Sequence, residues 1–246
     1  DPAVAEVRRI GEQASIVAAK QPGTCTITAT IGKLRQTCAV TVTASTLSAG
    51  WSYDELGVPP IPGSVSVADG RFTVTGCGHA MTGFWERVRD QGAFVSQAVA
   101  GDAALSACLT SLAPNVGGPA YQWDSRPSTA AGVMLRESLT EDCGRYALIE
   151  VQATGRLVFR WRDKPGPDDS HAKELGKVTL PLHLRLTRKG DEIQVFTSPD
   201  GQHWGEPLIK HPAAFAGQGH LGFVVCSGNT FAATTAVFES ISFSHK

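Results

Sequence analysis

Apolar side chains recur along this chain at alternate positions, in short runs bounded by Gly, Pro and Asp, rather than at the three-to-four-residue spacing of an amphipathic helix. The runs are RFTVTG from residue 71, GAFVSQAV from 92, AALSACLTSL from 103, AGVMLRES from 131 and YALIEVQA from 146. They continue as RLVFRWR from 156, LHLRLTR from 182, EIQVFTS from 192, HLGFVVCS from 220 and TAVFESISF from 235. Alternation sends successive side chains to opposite faces, so each run offers one apolar face to a core, and strands in this number predict two packed sheets. Asp102 to Leu112 has Leu105, Leu109 and Leu112 at helical spacing, but it alternates equally well around Leu105, Ala107 and Leu109 and is read as a strand. SPDGQHW, Ser198 to Trp204, predicts a tight hairpin turn in which Gly201 takes a positive φ.

Ahead of these runs, VAAKQPGTCTITATIGKLRQTCAVTV gives an apolar approach, a Pro-Gly turn and two alternating strands. Residues 44–50 are small and polar and predict a linker. The expected organisation is a module over 1–43, a linker over 44–50 and a larger domain over 51–246. A 43-residue half sandwich is too small to fold unaided, so its missing strands lie in a longer parent chain or come from another protein chain.

Composition removes several function classes. The chain has 22 basic and 23 acidic residues in 246, with no long run of like charge, which argues against a nucleic-acid partner. No apolar stretch is long enough for a membrane span, and the absence of an initial Met or signal-like segment is read as a mature or excised piece. The six cysteines form no C-x-x-C pair. A turn centred between Ile31 and Gly32 places Cys25 opposite Cys38, close enough for a disulfide, and the even count favours an extracellular, cell-surface or periplasmic setting. Cys77, Cys108, Cys143 and Cys226 pair in three ways or remain buried thiols.

Residues 1–43 resemble the C-terminal half of the bacterial immunoglobulin-like group 2 domain, through the Pro-Gly-Thr turn and the closing Val-Thr-Val. From Trp51 onward the chain resembles concanavalin A-like jelly-roll domains of largely unassigned function, related to laminin-G-like and lectin/glucanase sandwiches. AGVMLRES (131–138), RLVFRWR (156–162), LHLRLTRKGDEIQVFTSPDGQHW (182–204) and the step Gly101-Asp102 carry the likeness. The four later cysteines and the charged FWERVRD segment depart from it. The resemblance implies a β-sandwich appended to secreted bacterial enzymes or surface proteins, with carbohydrate as its ligand class.

The Glu-x-Asp-x-x-Glu strand of a laminarinase-type hydrolase is missing, as are H-E-x-x-H and G-x-S-x-G strings, so no catalysis and no cofactor are expected. Asp163, Asp168 and Asp169 lack regular calcium-loop spacing and read as a polar loop; no metal is expected. Sugar binding needs aromatic faces and planar polar groups. Trp85, Tyr121 and Trp123 stand in Gly- and Pro-rich segments that display them, whereas Trp161 and Trp204 read as packing residues. Arg136, Arg160 and Arg185, each on the face opposite the apolar one, are expected to form a polar stripe on the outside of one sheet. The sequence thus reads as an all-β jelly-roll β-sandwich of two antiparallel sheets preceded by a partial Ig-like module. Its expected role is non-catalytic carbohydrate binding or adhesion, with a glycan as partner; assembly with another chain through the incomplete module is the alternative.

Overall fold

The computed structural model describes residues 1–10, 14–19, 21–42, 47–79, 81, 90–113, 129–166, 169–213 and 217–245. The chain divides into two compact units, residues 1–46 and 47–246.

In the small unit β1 (Ala5–Ile10) pairs with β2 (Ala14–Ala19), and β3 (Gly23–Ile31) pairs with β4 (Leu34–Val42), both antiparallel. Among the described residues neither ribbon gains a third strand. Gly32 takes φ +60 and opens the loop Gly32-Lys33, so the hairpin centre lies one residue later than the pattern suggested. That shift puts Cys25 opposite Val40 and Cys38 opposite Ile27. The cysteines become diagonal neighbours, about 7 to 8 Å apart at Cα, beyond the span of an unstrained disulfide. Both thiols are free, which corrects the expected bridge.

The large unit is all β, a jelly-roll sandwich of two seven-stranded antiparallel sheets. The first runs β13 (Ser170–Lys177), β12 (Arg156–Arg162), β11 (Tyr146–Gln152), β10 (Ala130–Arg136), β17 (Gln218–Cys226), β8 (Gly92–Ala100), β5 (Ser52–Leu56). The second runs β16 (Ile209–Pro212), β15 (Glu192–Ser198), β14 (Leu182–Lys189), β9 (Ala103–Leu112), β18 (Asn229–His245), β7 (Arg71–Gly78), β6 (Ser64–Ala68). All ten alternating runs are strands. The four strands they omit, β5, β6, β13 and β16, are the four sheet edges; three of them are only four or five residues long, β6 and β16 each placing a single buried side chain, Val65 and Ile209, in the core.

The core between the sheets is built as alternation requires: Val133 and Leu135 of β10, Ile149 of β11 and Phe223 of β17 face Leu105 and Leu109 of β9, Leu186 of β14 and Phe238 of β18. Phe223 and Phe238 stack across the sandwich at 4.5 Å between ring centroids, and Trp51 stacks on the other side of Phe223 at 5.2 Å. The first sheet is also covered on its outer face. Phe94, Met134, Tyr146, Leu148 and Val224 form a second buried cluster there with Leu56 and Met81, and every residue of β10 and β11 is buried. Strands buried on both faces read as nearly continuous apolar runs, as β10 does.

Two glycines of this sheet, Gly132 and Gly222, have no room for a side chain: a Cβ at Gly132 meets the Ile149 carbonyl, and one at Gly222 meets the Val95 carbonyl. Gly132→Ala and Gly222→Ala should each lower stability by about 1 to 3 kcal/mol, the usual cost of forcing atoms into a packed interior. Urea unfolding checks this; an unchanged midpoint for both contradicts the packing described.

Candidate functional site

Burying the outer face of the first sheet forces its charged side chains into partnerships, because an unpaired charge out of water is far costlier than a paired one. Asp90, Arg136 and Arg162 are all buried there. The Asp90 carboxylate accepts from Arg136 Nη1 at 2.5 Å and from Arg162 at 2.7 and 3.0 Å. Arg136 Nε and Nη2 donate to the Ser138 and Glu141 carbonyls, and Arg162 Nη1 also donates to Gly144, so both arginines tie down the loop joining β10 to β11. Burial works against the Arg162 charge, and Asp90 outweighs it, leaving the guanidinium above its ordinary range. Arg162 lies 4.9 Å over the Tyr146 ring, whose hydroxyl donates to the Met81 carbonyl at 2.7 Å; burial keeps that phenol protonated. Arg136 is therefore an anchor of the fold rather than part of a solvated stripe.

A second polar group on the same face is incomplete. Glu150 Oε1 accepts from Arg160 Nε at 2.7 Å and from Gln152 Nε2 at 3.3 Å. Glu150 holds the Arg160 guanidinium above its ordinary range against the opposing effect of burial. Among the described residues Glu150 Oε2 and Gln152 Oε1 have no partner, although the two residues are only 1% and 5% exposed. In register, Glu150 and Gln152 stand opposite Gly132 and Ala130 of β10, and these in turn stand opposite Val224 and Cys226 of β17. The small residues leave the strand beside the two acceptors almost without side chains. Burial, then Glu150, push the Cys226 thiol up, so it is not a thiolate nucleophile.

Arg185 belongs to the other sheet, which corrects the single stripe. It projects from β14 with its guanidinium 3.7 Å from the centre of the Trp204 ring. The segment after β15 sets this up: Ser198 Oγ accepts from the Asp200 and Gly201 amides, Asp200 Oδ1 accepts from the Gln202 and His203 amides, and Trp204 Nε1 donates to the Gly201 carbonyl at 3.0 Å. Gly201 has φ +71 as expected, but β16 begins only at Ile209, so the segment is a capped loop rather than a tight hairpin.

Trp85, Tyr121, Trp123 and Asp168 lie outside the described residues. Trp161 packs against the core and stacks on His171 at 5.4 Å. Asp163 meets His211 Nε2 at 2.8 Å, Asp169 accepts two backbone N–H groups, and among the described residues no group of three acidic, His or Cys side chains could hold a metal. Glu150 and Gln152 escaped the sequence reading because YALIEVQA shows only two polar residues on one face, which reads as ordinary solvated surface.

No protein-family model and no curated protein matches the chain. Among solved structures it is similar to a functionally unknown protein from Saccharomyces cerevisiae, with TM-score 0.55 and 16% identity over 80% of this chain and 97% of that one. The likeness is one of fold. A legume lectin-like domain from Entamoeba histolytica (TM-score 0.49, 10% identity, 80% of this chain and 90% of that one) is also similar. So is alginate lyase A1-II' (TM-score 0.48, 11% identity, 73% of this chain and 82% of that one). The expected lack of catalysis is corrected: an alginate lyase stands among the similar structures, and the missing Glu-x-Asp-x-x-Glu string excludes one arrangement of carboxylates on one strand, not catalysis.

Asp90→Ala should cost about 3 to 5 kcal/mol by stranding two buried guanidinium groups; denaturant unfolding reads this, and a loss below about 1 kcal/mol contradicts a buried anchor. Asp200 sits below the usual carboxylate range, first through the His203 amide, and hydrogen bonding to Asp200 raises His203. Their contribution is therefore complete above the unfolded aspartate value and below the unfolded histidine value. It fades as pH falls through the Asp200 value or rises through the His203 value. An NMR titration should place His203 above an ordinary histidine, and Asp200→Asn should return it to the ordinary value.

Proposed function

We propose that the chain binds carbohydrate on the outer face of its first sheet, with Glu150, Gln152 and Arg160 as the polar contacts. One observation carries this reading: two buried acceptor oxygens without donors stand beside an arginine. Leaving a buried acceptor unmade costs about 1 to 3 kcal/mol each, so their retention calls for something that donates to them. Adjacent sugar hydroxyls supply donors to Glu150 Oε2 and Gln152 Oε1 and acceptors to the Arg160 guanidinium, and a neutral pyranose suits an acid and an arginine that already match each other better than a charged ligand does. The expected aromatic contacts, Trp85, Tyr121 and Trp123, remain part of the proposal. The same reading places the chain in a secreted or cell-surface protein.

A second reading, assembly with another chain, is favoured by the β3–β4 ribbon, most of whose described side chains are exposed and which has no third strand among the described residues.

A glycan array and polysaccharide pull-down with the whole chain, beside Glu150→Gln and a Trp85→Ala, Trp123→Ala double variant, tests the proposal. Glu150→Gln keeps the shape and removes the carboxylate, so it should lower affinity about 10-fold or more, and an unfolding curve of the same variant confirms that it is folded while reporting the stability lost with the acid partner of Arg160. The same incubations read for chain cleavage report any turnover. Full binding by Glu150→Gln sinks the assignment of this site, and failure of the chain to bind any glycan, with concentration-dependent association instead, favours assembly.

A further inference from the structure

The outer face of the second sheet carries an open pocket of about 300 Å³, at the lower end of the range for small-ligand sites. Its walls come from neighbouring strands: Ser106 of β9, Arg185, Thr187 and Lys189 of β14, Gln194 and Phe196 of β15. Ser242 and Ser244 of β18 close the remaining side. Hydroxyl and amide groups dominate this lining, with two cationic side chains and, among the described residues, no Asp or Glu.

The two cations differ. Arg185 meets no carboxylate among the described residues and makes no hydrogen bond to protein there; its guanidinium is held instead against Trp204 at 3.7 Å. Stacking fixes the plane of the group and leaves its edge of N–H donors free, the geometry that receives a planar anion in two parallel hydrogen bonds. Partial burial disfavours the Arg185 charge, so a guanidinium here is short of the solvation an anion restores. Thr187 supplies an independent sign of an absent partner: it is 8% exposed, it lines the pocket, and its Oγ1 has no hydrogen-bond partner among the described residues. Gln194 gives its Nε2 to Glu192 at 2.6 Å, which leaves its Oε1 as an acceptor.

We propose that this pocket is a second binding site, selective for the carboxylate or sulfate group of an acidic saccharide. Arg185 grips the anion, Thr187 donates to it, Lys189 adds charge at the rim, and the serines and Gln194 meet hydroxyls of the same ring. The ligand class rests on the carbohydrate reading above, while the site is separate from Glu150 and lies on the opposite sheet.

The test is calorimetric titration of the whole chain with four probes: trigalacturonate, a sulfated carrageenan hexasaccharide, a neutral galactan oligosaccharide and inorganic sulfate. At least one acidic oligosaccharide should bind more tightly than the neutral one and weaken as salt is raised. Arg185→Gln should lose about 10- to 100-fold in affinity for it, the range expected for hydrogen bonds to a charged group, and leave the neutral oligosaccharide unaffected. Arg185→Lys should recover only part of the loss, because it restores charge without the planar fork. Thr187→Val should weaken acidic-saccharide binding while keeping or raising the unfolding midpoint, a combination that a purely structural threonine does not produce. Equal binding of acidic and neutral probes, unchanged affinity in Arg185→Gln, or inorganic sulfate binding as tightly as the acidic oligosaccharides overturns the proposal. If Glu150→Gln abolishes saccharide binding and Arg185→Gln changes nothing, this inference fails and the Glu150 site stands. The reverse result overturns the Glu150 site and leaves this one.

Discussion

The Asp90 carboxylate, held between Arg136 and Arg162 in the buried outer face of the first sheet, is the interaction on which the rest of the large unit depends. One acid there bridges two buried guanidinium groups from strands that are not neighbours, β10 and β12. The arginines in turn fasten the loop between β10 and β11 through its carbonyls. An ion cluster of this kind adds little net stability over a well-packed apolar one, yet it specifies a single arrangement, because removing Asp90 leaves two buried charges without their acid. That arrangement closes the sheet's second face and makes a buried polar group such as Glu150 with Gln152 expensive to leave incomplete.

The two outer faces use arginine in opposite ways. On the first sheet Arg136, Arg160 and Arg162 are each matched by an acid on the same face, and the atoms without a partner among the described residues include two neighbouring acceptors, Glu150 Oε2 and Gln152 Oε1, besides Arg162 Nε. On the second sheet Arg185 rests on an aromatic ring and meets no acid among the described residues, and the unmatched atom there is the Thr187 hydroxyl. The two proposed sites differ accordingly: paired acceptors beside Arg160 suit a neutral, hydroxyl-rich ligand, and Arg185 suits an anionic one.

The sandwich was legible in the sequence because ten strands lie where one or both faces are buried, and burial imposes the alternation that was read. Of the edges, β5, β6 and β16 are too short for their pattern to stand out, although β6 alternates as Ser-Val-Ser-Val, and β13 is mostly exposed. Arg136, Arg160 and Arg185 were each placed on the correct side of their strand. Alternation reports the side and not the sheet, so it could not separate Arg185 from the other two. Nor does it report what covers a face, so it did not reveal that Arg136 is buried or that Asp90, 46 residues away, is its partner. The Cys25–Cys38 pairing failed on one residue of turn position, set by the positive φ of Gly32.

The most direct test of the account is a heteronuclear NMR titration of the whole chain with a glycan recovered from the binding screen, following the Gln152 side-chain amide and the backbone amides of β10 and β11. The account predicts that the Gln152 Nε2 protons and the amides around Glu150 and Gly132 shift in proportion to bound ligand. Shifts confined to residues 1–46, with the Glu150 face unmoved, would contradict it.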